Sequence, residues 1–431
     1  MRLLVKNGRV LDPANRVDRP SDVLIEDGRV AAVEPRIELR EVQVIDAKGL
    51  VVVPGFIDIH VHLREPGLEH KETIESGTSA AAAGGFTAVA CMANTRPVND
   101  NAAVTAFIRR RAAEVGKAQV YPVGAISKGL EGKELAEIGE LFEAGAVAIS
   151  DDGRPVEDPN LLRRALEYAK AFGIPLIEHC ETPALHPGGV MNEGYWSTAL
   201  GLRGIPAASE EIAVRRNIVL AELTGGKLHI AHLSTRGALA AVREAKARGL
   251  AVTCEVTPHH LLLTDEALKT YDTHTKMNPP LRSKEDREAL LEGLVDGTID
   301  AIATDHAPHH QDEKRVEFDR APFGVVGLET AVPLCLDRLV NPGVIPLSRL
   351  VELFSVGPAR VLGLKKGSLA VGADADLGLI NLERRFTVRP ESFQSRGRNT
   401  PFAGLALRGQ AVATLVAGKI MWDARESGEA R

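Results

Sequence analysis

Apolar and polar positions follow two different rhythms along this chain. In the first fifty residues, short apolar runs at 3–5, 23–25, 30–33 and 42–46 are broken by Asn-Gly and Asp-Gly pairs. Such pairs favour tight turns between strands, so this end reads as short β-strands. The far end is similar, with β-like runs at 376–381, 404–407 and 411–416 and a turn at Ala417-Gly418. Neither end is large enough to bury a core alone. Together they predict one small composite β-sandwich domain, contributed by residues 1–52 and 365–431.

Between them the pattern alternates. Extended runs are expected at 51–59, 86–91, 119–123, 146–150, 175–178, 227–231, 251–256 and 299–304. Helical runs fall between most of them, at 73–83, 102–115, 135–144, 160–171, 209–223, 238–247 and 287–295. The pairs Gly84-Gly85 and Gly225-Gly226 fit helix stops and match no phosphate-binding fingerprint. Eight strands alternating with helices predict an α/β fold, a (β/α)8 TIM barrel over residues 53–364. A doubly wound sheet has the same rhythm, and the placement of polar residues decides against it.

Those residues cluster where the strands should end. His60 and His62 follow the first run, Asp151 and Asp152 the fourth, His179 the fifth and His232 the sixth, while Asp305 and His306 close the eighth. In a parallel barrel every strand ends on one face, so distant positions converge there. A doubly wound sheet gathers only a few strand ends. His60 and His62 are two apart, which on a strand puts both rings on one side. Imidazole and carboxylate together suit zinc, manganese or iron. Four histidines and two aspartates exceed one tetrahedral site, and suit two ions sharing a carboxylate and a hydroxide. Asp151 and Asp152 both qualify as the shared carboxylate, because Asp-Asp-Gly is also ordinary turn chemistry. Asp305 also has the chemistry of a helix cap.

Arg64, Asn94, Asn278, His309 and His310 lie on the same face. Arginine holds carboxylates bidentately and asparagine matches an amide edge, so the expected substrate is small and carries both groups. The net charge of −6, without a long basic run, gives no footprint for nucleic acid. It leaves room for a locally positive pocket and a small anionic substrate. No signal peptide and no membrane span are expected. Cys91, Cys180, Cys254 and Cys335 are scattered without a CxxC pair, which fits free thiols in a reducing, cytoplasmic setting.

Several stretches resemble the amidohydrolase superfamily, and within it the type I dihydroorotases. They are PGFIDIHVHLREPG at 54–67, MANT at 92–95, CEVTPHH at 254–260, ATDHAPH at 303–309 and GSLAVGADADL at 367–377. The resemblance spans nearly the whole chain. It implies two Zn2+ per subunit, with His60, His62 and Asp305 on one, His179 and His232 on the other, and Asp152 bridging. It also implies that Arg64, Asn94 and His309 hold an α-carboxylate, and that Asn278, Phe323 and Gly324 contact the ring beside His62. The implied reaction interconverts N-carbamoyl-L-aspartate and (S)-dihydroorotate plus water, in de novo pyrimidine (UMP) biosynthesis. A metal-activated hydroxide would be the nucleophile and Asp305 the general acid/base. Many relatives bridge their metals with a carboxylated lysine at the end of the fourth strand. Here that region reads AISDDG at 148–153, with aspartate in its place. The alternatives are a hydantoinase or allantoinase, which differs in its substrate contacts, and a non-catalytic assembly subunit. Some relatives associate with aspartate transcarbamoylase, and a homo-oligomer also fits the family.

Overall fold

The computed structural model describes residues 2–39 and 41–425. Its centre is a sheet of eight parallel strands: Phe56–Val61, Phe86–Cys91, Gln119–Gly124, Ala148–Ile149, Leu176–Glu178, Leu228–Ile230, Val252–Val256 and Ala301–Ile302. They lie side by side in sequence order. A parallel bridge between Val61 and His306 joins the first strand to the chain just past the eighth and closes the barrel. Several of these strands are buried along their whole length, as expected when helices cover the outside.

Local signals fix the helices. Ile74–Ala83 starts at Thr73, whose hydroxyl accepts from the Ser76 amide. Ala102–Val115 starts at Asn101, Arg236–Ala247 at Thr235 and Lys284–Val295 at Ser283, each through a side-chain cap. Pro159–Phe172 has Asp158 as its cap and stops at Gly173 in the left-handed conformation. The helices Leu347–Phe354 and Val356–Leu362 carry no expectation above. Phe354 from the first of them packs its ring 5.4 Å from Phe56 and 5.6 Å from Phe86, joining it to the first two barrel strands.

The termini share the other sheet. Its strands run in the order Lys419–Asp423, Ala406–Val416, Leu377–Thr387, Val51–Pro54, Arg2–Asp12, Val17–Glu26 and Arg29–Glu34, with Gln43–Asp46 also paired to Arg2–Asp12. Leu3, Val10, Ile25, Val52, Leu377 and Leu415 lie in its core, so both ends of the chain build one hydrophobic cluster.

Two expectations change. Asn7-Gly8 does not end a strand. It sits at a register shift inside Arg2–Asp12, where the strand bulges and continues. The run 51–59 is not one strand. Val51–Pro54 belongs to the terminal sheet, Phe56–Val61 opens the barrel, and Gly55 lies between them. Its amide donates to the Asp376 carbonyl at 2.9 Å. A Cβ at Gly55 would sit 2.2 Å from Thr87 Oγ1, so only glycine lets the chain turn this close to its neighbour. Among the described residues, no helix is long and apolar enough to cross a membrane.

Candidate active site

The strand ends bring six ligand-type side chains together. Phe56–Val61 directs His60 inward, and the residue just past its end is His62. The His60 Nε2 atom lies 3.3 Å from Asp152 Oδ1 and 3.5 Å from Asp305 Oδ1. His62 Nε2 lies 3.0 Å from Asp305 Oδ1 and 3.5 Å from Asp152 Oδ2. On the far side, His179 Nδ1 is 3.0 Å from His232 Nε2 and 3.8 Å from Asp152 Oδ1. His232 Nε2 is 3.3 Å from the same oxygen. Asp152 therefore stands between the two histidine pairs. Asp305 and His232 both hold left-handed backbone, with φ of 47° and 31°. Such conformations cost energy outside glycine and concentrate at functional sites.

The two adjacent aspartates part company. Asp151 turns away and accepts from the amides of Ile126 and Ser127 at 2.7 and 3.0 Å, and from the Ser127 hydroxyl. It ties the loop after the third strand. His306 also leaves the cluster. Its Nε2 meets Glu72 at 3.2 Å and its Nδ1 accepts from the Gly327 amide at 3.1 Å. His310 caps the short helix Gln311–Lys314.

The arrangement suits cations. The ligand atoms of His60, His62 and Asp305 lie within 4.8 Å of one another, as do those of His60, Asp152 and His232. His60 Nε2 is buried among carboxylates without a hydrogen-bond partner. A buried polar atom in that position is costly unless it is ligated. Burial opposes charge on Asp152, yet His60 and His232 outweigh it and hold the carboxyl well below its ordinary range. Burial likewise opposes ionisation of Asp305, and His62 and His60 draw it down. Burial lowers the His60 imidazole, but Asp152, Glu255 and Asp305 together raise it well above the usual histidine range. Negative charge thus concentrates where the nitrogens point.

Two carboxylates behind the rings escaped the sequence analysis. Glu255, fully buried on the seventh strand, accepts from His60 Nδ1 at 2.7 Å and meets His229 Nε2 at 3.2 Å. Glu181 lies 3.2 Å from His179 Nε2. Each takes the ring proton on the side away from the cluster and so leaves the other nitrogen free to ligate. An acidic residue inside an apolar strand is a readable signal for Glu255. Glu181, in a loop, offers none.

A cavity of about 210 Å³ opens on the cluster. His62, Asp152, His179 and Asp305 form its floor, and Arg64, Asn94, Asn278, His309, Phe323 and Gly324 line the remainder. Asn94 Oδ1 accepts from His62 Nδ1 at 2.8 Å. Asn278 donates to Glu181 at 3.2 Å. His309 gives its Nε2 proton to the Phe323 carbonyl at 2.8 Å, and Lys71 Nζ approaches its Nδ1 at 3.4 Å. Burial, with Arg64, Lys314 and Lys71 nearby, pushes His309 well below the usual histidine range, so the ring is neutral. Gly324 has φ of 119°, and a Cβ there would sit 2.7 Å from Ala307 Cβ and 3.3 Å from His309 Nε2. A metal-type floor thus faces an arginine and two asparagines, side chains whose chemistry matches a carboxylate and an amide.

Comparison with known proteins agrees. A family model described as Dihydro-orotase-like matches residues 49–238. The dihydroorotase of Syntrophotalea carbinolica is 56% identical over 422 residues, which is 98% of this chain and 99% of that protein. The dihydroorotase of Anaeromyxobacter dehalogenans strain 2CP-C is 57% identical over 98% of both chains. Among solved structures, the L-hydantoinase (dihydropyrimidinase) of Arthrobacter aurescens superposes with a TM-score of 0.89 at 28% identity, covering 100% of this chain and 97% of its own. The dihydropyrimidinase of Brevibacillus agri gives 0.86 at 25% identity, over 99% and 96%. The barrel is shared with hydantoinases, but the sequence stands with the dihydroorotases, and this chain belongs to the dihydroorotase family of cyclic amidohydrolases.

Proposed function

We propose that this enzyme interconverts N-carbamoyl-L-aspartate and (S)-dihydroorotate in de novo pyrimidine biosynthesis, with two Zn2+ at the clustered ligands. The single observation that carries this reading is the cavity itself: Asp152 and Asp305 with four imidazoles below, Arg64 and two asparagines above. His60, His62 and Asp305 would hold one ion, His179 and His232 the other, and Asp152 both. When bound, such a pair supplies a hydroxide at neutral pH and polarises a carbonyl.

The chain's own groups do the rest. Arg64 and the free Asn94 amide nitrogen receive the substrate's carboxylate, the guanidinium pairing with the anion bidentately, and His309 joins them where its Nε2 proton turns from the Phe323 carbonyl to the anion. Asn278, Phe323 and Gly324 fix the ring against the floor. The Asp305 carboxylate, held ionised by His62 and His60, accepts a proton as the amide carbonyl is attacked and returns it to the departing ring nitrogen. In the reverse direction it removes a proton from the carbamoyl nitrogen. The Arg64 guanidinium on the cavity lining favours an anionic substrate over the neutral ureides that hydantoinases take. The composite domain would take 1–52 and 365–431 together with Val53 and Pro54, whose strand pairs in the terminal sheet, and the catalytic barrel would run from Gly55 to 364. All four cysteines are buried free thiols, which suits a cytoplasmic enzyme.

The test is an absorbance assay of dihydroorotate hydrolysis by zinc-reconstituted protein, with hydantoin and allantoin alongside. Turnover of dihydroorotate alone is expected, lost on chelation and reduced by about 10²–10⁴ in Asp305→Ala. Turnover of a neutral ureide instead would overturn the reading. No turnover, followed by activity on adding aspartate transcarbamoylase, would point to a complex. Metal analysis of the purified protein checks the identity and number of ions.

A further inference from the structure

Two lysines that take no part in the proposed chemistry are buried behind the cavity wall. Lys276 and Lys314 are only 2% and 4% exposed. Their ammonium groups reach backbone carbonyls. Lys276 Nζ donates to Phe318 at 2.8 Å and Asp319 at 2.9 Å. Lys314 Nζ donates to Pro322 at 2.7 Å, Thr273 at 3.1 Å and Lys276 at 3.5 Å.

The pattern of acceptors matters. Lys276 stands two residues before Asn278, on the segment that follows the seventh strand. Its acceptors lie in the segment that follows the eighth. Lys314 belongs to that second segment and reaches back to the first. The two amines therefore cross between the segments in opposite directions. Two further bonds run alongside, from the Gly324 amide to the Lys276 carbonyl at 2.9 Å and from the Thr273 hydroxyl to the Lys314 carbonyl at 2.6 Å. The Lys276 ammonium also lies 4.8 Å from the centre of the Phe323 ring and 5.5 Å from that of Phe318. Cations over aromatic faces are held electrostatically, and more strongly away from water.

Both segments end in the cavity, one at Asn278 and the other at Phe323 and Gly324. The Phe323 carbonyl is also the acceptor that orients His309. We propose that Lys276 and Lys314 are positioning residues, a crossed pair of buried amines that locks the two substrate-facing segments into one wall and thereby sets substrate affinity. The inference rests on the activity proposed above. Burial draws the Lys314 ammonium down to about 7 and Lys276 to about 8, a cost that packing alone would not require and that apolar side chains would avoid.

Lys276→Met and Lys314→Met keep the aliphatic bulk and remove the donors. With metal-loaded full-length protein, the KM for dihydroorotate should rise about ten-fold or more while kcat stays within about three-fold, because the ions and Asp305 are untouched. Metal content should not change. Trypsin should cut the exposed Arg315 and Arg320 about ten-fold faster, because the segment that carries them opens more often. KM and cleavage rates both within about two-fold of the parent would overturn the proposal. The cleavage readout needs no substrate, so it still decides if the parent fails to turn over dihydroorotate. Should a methionine variant not fold, Lys314→Ala is assayed with propylammonium, and with propanol as control. Recovery of KM by the amine alone supports the lock, and no recovery refutes it.

Discussion

Replacing Glu255 by glutamine changes one charge and almost no volume at the back of the metal-type cluster. The carboxylate takes the His60 Nδ1 proton at 2.7 Å and faces His229 Nε2 at 3.2 Å. Burial opposes its ionisation, yet the His229 and His60 rings hold the carboxyl down at about 2. A hydrogen bond to a charged group contributes about 1.5–3 kcal/mol, a neutral one about 1 kcal/mol. The glutamine oxygen can still accept from His60, while the amide group meets His229. That ring can switch tautomer, because Thr253 Oγ1 lies 2.8 Å from its other nitrogen. The fold should therefore survive. What is lost is the charge assistance, about 0.5–2 kcal/mol, or roughly 2–30-fold in affinity for the ion at His60. Competition against a chromophoric chelator reads this directly, with circular dichroism to show that the fold is intact. An affinity within about two-fold of the parent would refute the idea that Glu255 tunes His60.

Three more outcomes follow from the same geometry. Asp151→Ala strands three donors of the Ile126–Ser127 loop and should cost about 2–4 kcal/mol in denaturant melts, with activity per metal-loaded molecule retained, whereas Asp152→Asn should do the opposite and lower activity at least about 100-fold. Arg64→Ala should lower kcat/KM for dihydroorotate by about 10²–10³ without changing metal content, and a smaller loss than for a neutral ureide would contradict the carboxylate-binding role. Glu178 has a buried unpartnered oxygen, and burial lifts its carboxyl from 4.5 to about 8. The fold binds this proton more tightly than the open chain does, so the stability it confers is complete below 4.5 and is lost as pH rises towards 8, at about 1.4 kcal/mol per pH unit. Glu178→Gln does not titrate, and its melting advantage over the parent should widen across that window. Parallel curves would count against the burial argument.

Much of this was legible beforehand because period and position carry it. The eight strands announce themselves by apolar runs at regular spacing, and His60-Val61-His62 declares a shared face. Other features were hidden. Asn7-Gly8 has the chemistry of a turn, but a bulge needs the same left-handed residue, and only the partner strand distinguishes them. The 51–59 run is buried throughout because both sheets cover it, and apart from Asp58 it is apolar, so only Pro54-Gly55 marks where one sheet ends. The choice between Asp151 and Asp152 needed the Ile126 and Ser127 amides, which come from another strand end. Glu255 and Lys276 act on residues far from them in sequence, and no local window contains both partners.

The pairing of Val51–Pro54 with Leu377–Ile380 has a consequence for synthesis. The strand that leads into His60 and His62 is made early, but its sheet neighbour leaves the ribosome some three hundred residues later. At about 5–20 residues per second the wait is roughly 15–65 s. Throughout that interval a valine-rich edge lacks its native partner. Such an edge is a template for pairing with other chains. Heterologous expression at low temperature, which weakens hydrophobic association, should therefore favour soluble protein for reasons that have nothing to do with the final fold's stability.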